Sequence, residues 1–113
     1  MNVETPVRIL VVGGLTRLDT FYRDAPSGVE VDAVYVDCPT LEARVEAADA
    51  LVLVVGNVSH PAAAKVRNAA KRRGIPLESA MSPSVSRVRA SIASAFIAAS
   101  GASRLAPVSR KSA

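Results

Sequence analysis

His60 is the only histidine of this chain and Cys38 its only cysteine. His60 stands between Ser59 and Pro61. That run reads as a helix start, with Ser59 or His60 as the cap and proline in the first turn. The partial positive charge of a helix N-terminus disfavours a further cation. A neutral imidazole there could accept a proton, ligate a metal or haem iron, or hydrogen-bond a ligand. It could equally do no more than cap the helix or pack against a neighbouring loop. No carboxylate or second nitrogen ligand is placed by the sequence to assist it. Cys38 follows Asp37, whose charge works against a thiolate, so the cysteine reads as a small, partly buried filler. One cysteine and one histidine exclude an intramolecular disulfide and a zinc site of four Cys and His ligands.

A second candidate is Gly13-Gly14-Leu15-Thr16-Arg17, directly after an apolar run. Glycines let the backbone approach an anion, the helix that follows offers unpaired N–H groups, and Arg17 could add a bidentate contact. The pair falls short of the G-x-G-x-x-G fingerprint, and no Walker lysine loop exists in the chain. The plainer role for both glycines is a tight strand-to-helix turn.

A third candidate is the basic run Lys65, Arg67, Lys71, Arg72 and Arg73. On a helix, Lys65, Asn68 and Arg72 share one face while Arg67 and Lys71 share another, so the charge is spread around the helix. With Arg87, Arg89, Arg104, Arg110 and Lys111 these residues could form a phosphate-binding surface for nucleic acid or an acidic partner. No aromatic platform for single strands accompanies them. A solvated outer helix with cations near its C-terminus accounts for the same residues.

The elements that carry these residues follow from the apolar pattern. Val7–Val12 and Ala50–Val55 are nearly continuous apolar runs, each ending at glycine, as central parallel strands do. Residues 29–36 alternate, with Val29, Val31, Ala33 and Tyr35 on one side, which predicts a half-buried edge strand. Ile75–Ser79 is a short fourth strand. Thr16 to Tyr22 reads as a short helix capped by Thr16 with Asp19 three residues on, and it ends before the break at Pro26-Ser27-Gly28. Pro39 to Ala47 reads as a second helix. The alanine-rich third helix runs to Arg73 and stops at Gly74. Ser82-Pro83 opens the fourth, whose Val85, Val88, Ile92, Phe96 and Ala99 form one buried stripe and which Gly101 ends.

The order βαβαβαβα predicts an α/β fold: a small three-layer α/β/α sandwich on a four-stranded parallel sheet of order 2-1-3-4, Rossmann-like or flavodoxin-like. Ligands of such sheets bind beyond the strands' carboxyl ends, at the switch point. Here that crevice lies between the loop after the first strand and Gly56-Asn57-Val58-Ser59-His60. The predicted ligand-binding set is therefore Gly13, Gly14, Thr16, Arg17, Asn57, Ser59 and His60.

At 113 residues the chain suits one domain, taken as residues 1–101 with a flexible basic tail over 102–113. Half its residues are apolar, 4% are aromatic and none is Trp, so the core is built from Val, Leu, Ile and Ala. No apolar run approaches the roughly 20 residues of a membrane helix. Residues 1–6 lack a basic start leading into an apolar signal segment, so the expected location is the cytoplasm. Charge is polarised: residues 1–59 carry four basic and nine acidic residues, while residues 60–113 carry ten basic residues and Glu78 alone. Such a dipole can steer an anionic partner or favour self-association. Exposed edges at the second and fourth strands, or the last helix, are the expected routes to a homodimer.

The arrangement of ILVVGG, a short helix, ADALVLVVGNVSH, a basic helix ending KRRGIPL and a Ser-rich start to a final helix resembles the bacterial domain-of-unknown-function family 2325. Gly13-Gly14, Ser59-His60 and Lys71-Arg72-Arg73-Gly74-Ile75-Pro76 carry the resemblance, over about residues 7–98. It implies a small cytoplasmic Rossmann-like protein with no agreed activity. Members of that family often carry histidines near the end of the second strand, where this chain has Asp37-Cys38. That departure weighs against a two-histidine metal or haem site.

The expected function is a ligand-binding or regulatory module taking a small anionic or nucleotide-like ligand, with no cofactor specified by the sequence. Gly13, Gly14 and Thr16 would give backbone and hydroxyl contacts, Arg17 would neutralise charge, and Ser59 and His60 would hydrogen-bond from the opposite loop. No nucleophile is accompanied by a base and an orienting acid, which argues against catalysis. The alternatives are a nucleic-acid or protein interaction module acting through the basic half, metal or haem binding through His60, and a transferase-like or phosphate-handling enzyme using His60.

Overall fold

The computed structural model describes residues 6–25, 28–35 and 39–105, the last five of these by backbone alone. The expectations for residues 1–5, for Pro26-Ser27, for Val36, Asp37 and Cys38, and for residues 106–113 of the tail lie outside the described residues.

The two apolar runs form β1 (Val7–Val12) and β3 (Ala50–Val54), side by side in a parallel sheet of order β2-β1-β3-β4. β2 is Val29–Val34 and β4 is Leu77–Ala80. All three strand pairs are parallel, with Ile9 opposite both Val31 and Ala50, and Leu51 opposite Leu77. The helices are α1 (Asp19–Arg23), α2 (Leu41–Glu46), α3 (His60–Arg73) and α4 (Val85–Leu105). The predicted fold class and strand order are therefore those of the protein.

The strand period of two divides the core between the sheet's faces. Leu10, Val12, Val34, Leu51 and Leu53 pack with α2 and α3, through Leu41, Val45, Ala62, Val66 and Ala69. Ile9, Val11, Val31, Val52 and Val54 pack with α1 and α4, through Tyr22, Val88, Ile92 and Ala95. All five residues of β3 are buried, as a strand covered on both faces must be.

Four local expectations are corrected. Thr16 is not a cap: it opens a 3-10 turn (Thr16–Leu18), Leu15 holds the extended position before it, and no side chain caps that turn. Asp19 turns instead to Arg23 and Tyr35. Pro39 lies ahead of α2, whose cap position is Thr40. Ser84 takes the cap of α4 through its Oγ and the Arg87 N–H, while Ser82 Oγ bonds Ser84. Gly101 does not end α4, which continues to Leu105; a single glycine in a helix costs only about 1 kcal/mol relative to alanine.

The outer edge of β2 is partly closed by side chains. Carbonyls of Gly28 and Val34 accept from Val7 and Gly13, so the even-numbered residues face β1 and the odd ones face outward. Of the outward groups, the Val31 carbonyl accepts from Arg23 at 3.2 Å, and the Ala33 N–H donates to the Asp32 carboxylate at 3.0 Å.

Candidate functional site

The loops after β1 and β3 meet at the carboxyl ends of the strands. Gly13 has φ +99°, and a Cβ there would lie 3.0 Å from the Asn57 carbonyl oxygen and 3.2 Å from Val54 Cβ. Only glycine allows the two loops to approach this closely. Gly14, also at φ +99°, lies against Tyr22, with its missing Cβ 3.0 Å from the ring. The glycines thus shape the loop against protein atoms. Their neighbourhood offers few free donors. The Gly13 N–H donates to Val34 at 2.8 Å, and the Leu15 N–H donates to the Tyr22 hydroxyl at 3.1 Å.

α3 presents its N-terminus to the same region. Ser59 is its cap: Oγ accepts from the Ala62 N–H at 3.2 Å, and its carbonyl accepts from Ala63 at 2.9 Å. Pro61 has no N–H to give. The first turn is thus closed internally, apart from the N–H of His60. The His60 side chain is exposed, and among the described residues it makes no ion pair or hydrogen bond.

Between these features lies a cleft of about 510 Å³, walled by Val12, Tyr35, Asn57, Val58, Ser59 and Ala62 with Gly56. Among the described residues no acidic side chain lines it. Asn57 and Ser59 are the members of the predicted set in its wall. Gly13 abuts the wall through Asn57, and His60 follows Ser59 at the start of α3. Thr16 and Arg17 are exposed on the 3-10 turn and do not line the cleft.

Tyr35 is a wall residue outside the predicted set. Its hydroxyl donates to Asp19 Oδ1, while Arg23 Nε holds Oδ2 at 2.8 Å. The phenol's hydrogen bond, helped by Arg23, keeps the Asp19 carboxyl below its ordinary value of 3.8 against the opposing effect of burial. Burial first, then donation to the carboxylate, push the Tyr35 phenol well above its ordinary value of 10.0. The phenol is thus a neutral, anchored part of the wall. The alternation puts Tyr35 inside the strand, which in the structure ends at Val34, and it carries no signal for the hydroxyl's partner.

The basic run is dispersed, as its spacing predicts. Arg67, Lys71 and Arg72 are exposed, Lys65 is half-buried, and Arg73 pairs with Glu46 on α2 at 3.0 Å. Among the described residues no group of three or more His, Cys, Asp or Glu could hold a metal ion. No described helix is long and apolar enough to cross a membrane.

A family model described as an uncharacterized protein conserved in bacteria (DUF2325) matches residues 8–95, most of the chain. The chain belongs to this family. No curated protein and no solved structure matches it.

Proposed function

We propose that this family member is a small ligand-binding or regulatory module whose ligand, anionic or nucleotide-like, occupies the cleft above the carboxyl ends of the central strands. The observation that carries the reading is the composition of the cleft wall. Val12, Tyr35, Val58 and Ala62 give it an apolar and aromatic side; Asn57 and Ser59 give it a polar side at the start of α3. A flat heterocycle suits the first side. An anionic group suits the second, where the helix dipole is positive and no carboxylate among the described residues lines the wall. The cleft volume falls in the range of small-molecule sites, about 300–1,000 Å³.

The roles within this reading differ from residue to residue. Asn57 supplies side-chain donors and an acceptor. His60 supplies the one first-turn N–H that the cap does not use, and an imidazole at the rim. Gly13 and Gly14 hold the opposing loop in place without touching the ligand. Thr16 and Arg17, exposed nearby, attract an anion rather than bind it.

The test is native mass spectrometry of freshly purified protein, with thermal shift against nucleoside mono-, di- and triphosphates. A co-purifying anionic small molecule, or a nucleotide-induced shift weakened at least tenfold in concentration dependence by Asn57→Asp, is the expected result. Bare protein that responds to no nucleotide overturns it. Binding to an oligonucleotide that is lost on neutralising Lys71 and Arg72, and that falls steeply with salt, would move the function to the basic surface.

A further inference from the structure

On the sheet face opposite α3 lies a second concavity, of about 350 Å³, that the proposed ligand site does not use. α1 has only five residues, too few to shield the flank of the much longer α4. The gap between them is walled by Tyr22, Ala25, Val29, Ile92, Ala93 and Phe96. Among the described residues its lining is apolar save for Asp24, at the end of α1, and Arg89, on α4. Ile97, itself part of the lining, is 68% exposed, and Phe21, the neighbour of Tyr22 on α1, is 52% exposed.

We infer that this groove is the two-fold contact surface of a homodimer, with Ile97 of each subunit seated in the other's groove and Arg89 against Asp24 of the partner subunit. A two-fold contact uses one patch on both subunits, so the patch must complement itself. This one does so in shape and in charge. It carries a concave part and projecting apolar groups, and it carries an acid and a base. Among the described residues neither Asp24 nor Arg89 is engaged in an ion pair.

Charge also fixes the pairing mode. α4 holds no acidic residue, and Arg87 and Arg89 lie on its exposed side. Two α4 helices laid directly on each other would oppose like charges. Setting α4 across the α1 side of the partner, where Asp24 lies, removes that conflict. The small exposed side chains Ala90 and Ala93 let the helix approach closely.

The experiment is sedimentation velocity on the full chain over a range of concentrations, with far-UV circular dichroism to verify folding. The wild type should dimerise. Ile97→Glu, Asp24→Arg and Arg89→Asp should each weaken the dimer at least about tenfold. Asp24→Arg combined with Arg89→Asp should recover most of it, which a merely misfolded variant could not do. A wild type that stays monomeric at every concentration overturns the inference. So does a dimer indifferent to Ile97→Glu and to both charge reversals, which would put the contact elsewhere, such as the β4 edge. Amide protection of the groove in a monomer, lost on deleting residues 106–113, would assign the groove to the chain's own tail and also overturn it.

Discussion

Tyr22 donates its phenolic hydrogen to the carbonyl oxygen of Pro83 at 2.6 Å, joining residues 61 positions apart. The Tyr22 hydroxyl oxygen in turn accepts from the Leu15 N–H at 3.1 Å. One fully buried hydroxyl therefore ties the loop after β1 to the loop that leads into α4. Tyr22→Phe keeps the ring and leaves a donor and an acceptor unpaired, at a cost of about 1–3 kcal/mol. Urea unfolding should show that loss. If the hydroxyl holds the Gly13-Gly14 loop as described, amide exchange at Leu15 should accelerate more than the global destabilisation requires.

Gly13→Ala and Gly56→Ala separate backbone strain from crowding. Both glycines have φ above +90°. A Cβ at Gly56 meets open space, whereas one at Gly13 meets Asn57 and Val54 at 3.0 and 3.2 Å. Gly56→Ala should cost about 1–2 kcal/mol from conformation alone. Gly13→Ala should cost clearly more and should alter the cleft wall at Asn57. Equal losses for the two variants in thermal unfolding would contradict the close loop contact.

The Asp19–Tyr35 pair gives stability a pH dependence of known sign. Asp19 has its folded value lowered from 3.8, so its contribution is complete above about pH 4 and is lost as pH falls through the folded value. Tyr35 has its folded value raised from 10.0, so its contribution is complete below that pH and is lost as pH rises through the folded value. Between these limits the pair adds no slope. Tyr35→Phe should cost about 1 kcal/mol at neutral pH and flatten the acid limb of stability. Denaturation midpoints from pH 2 to pH 7 check both statements.

Ser59→Ala removes the α3 cap and should cost about 1 kcal/mol in chemical denaturation. Arg73→Ala, which breaks the Arg73–Glu46 pair, should change stability by less than about 0.5 kcal/mol, because both partners are largely solvated. A larger loss from Arg73→Ala than from Ser59→Ala would contradict this ranking.

What the sequence made legible was whatever depends on local pattern. The continuous apolar runs marked β1 and β3 as central, and the alternation from Val29 marked β2 as an edge. Ser59, Pro61 and Gly74 bracketed α3, and the structure has Ser59 as its cap and Gly74 as its C-terminal residue in the left-handed conformation. The topology in turn located the crevice, where the structure has a cleft lined by Asn57 and Ser59. Thr16 was misleading because a hydroxyl three residues before an acid matches a capping box, yet the chain is already helical at Thr16. Tyr22 and Tyr35 could not be assigned their work from sequence. Their hydroxyl partners, Pro83 and Asp19, lie 61 and 16 residues away, and no period encodes a side chain's long-range acceptor.

The side chains along the outside of β2 bear on how copies of this sheet could join. Arg23 and Asp32 occupy a carbonyl and an N–H that a neighbouring strand would need in the middle of that edge. An unlimited ribbon requires two usable borders on every copy, one to receive and one to offer. With the middle of the β2 border obstructed, strand-to-strand joining is favoured at the β4 border, and two copies joined there leave only the obstructed border for a third. Arg23 and Asp32 thus disfavour open-ended sheet growth through that border without belonging to the core of either face.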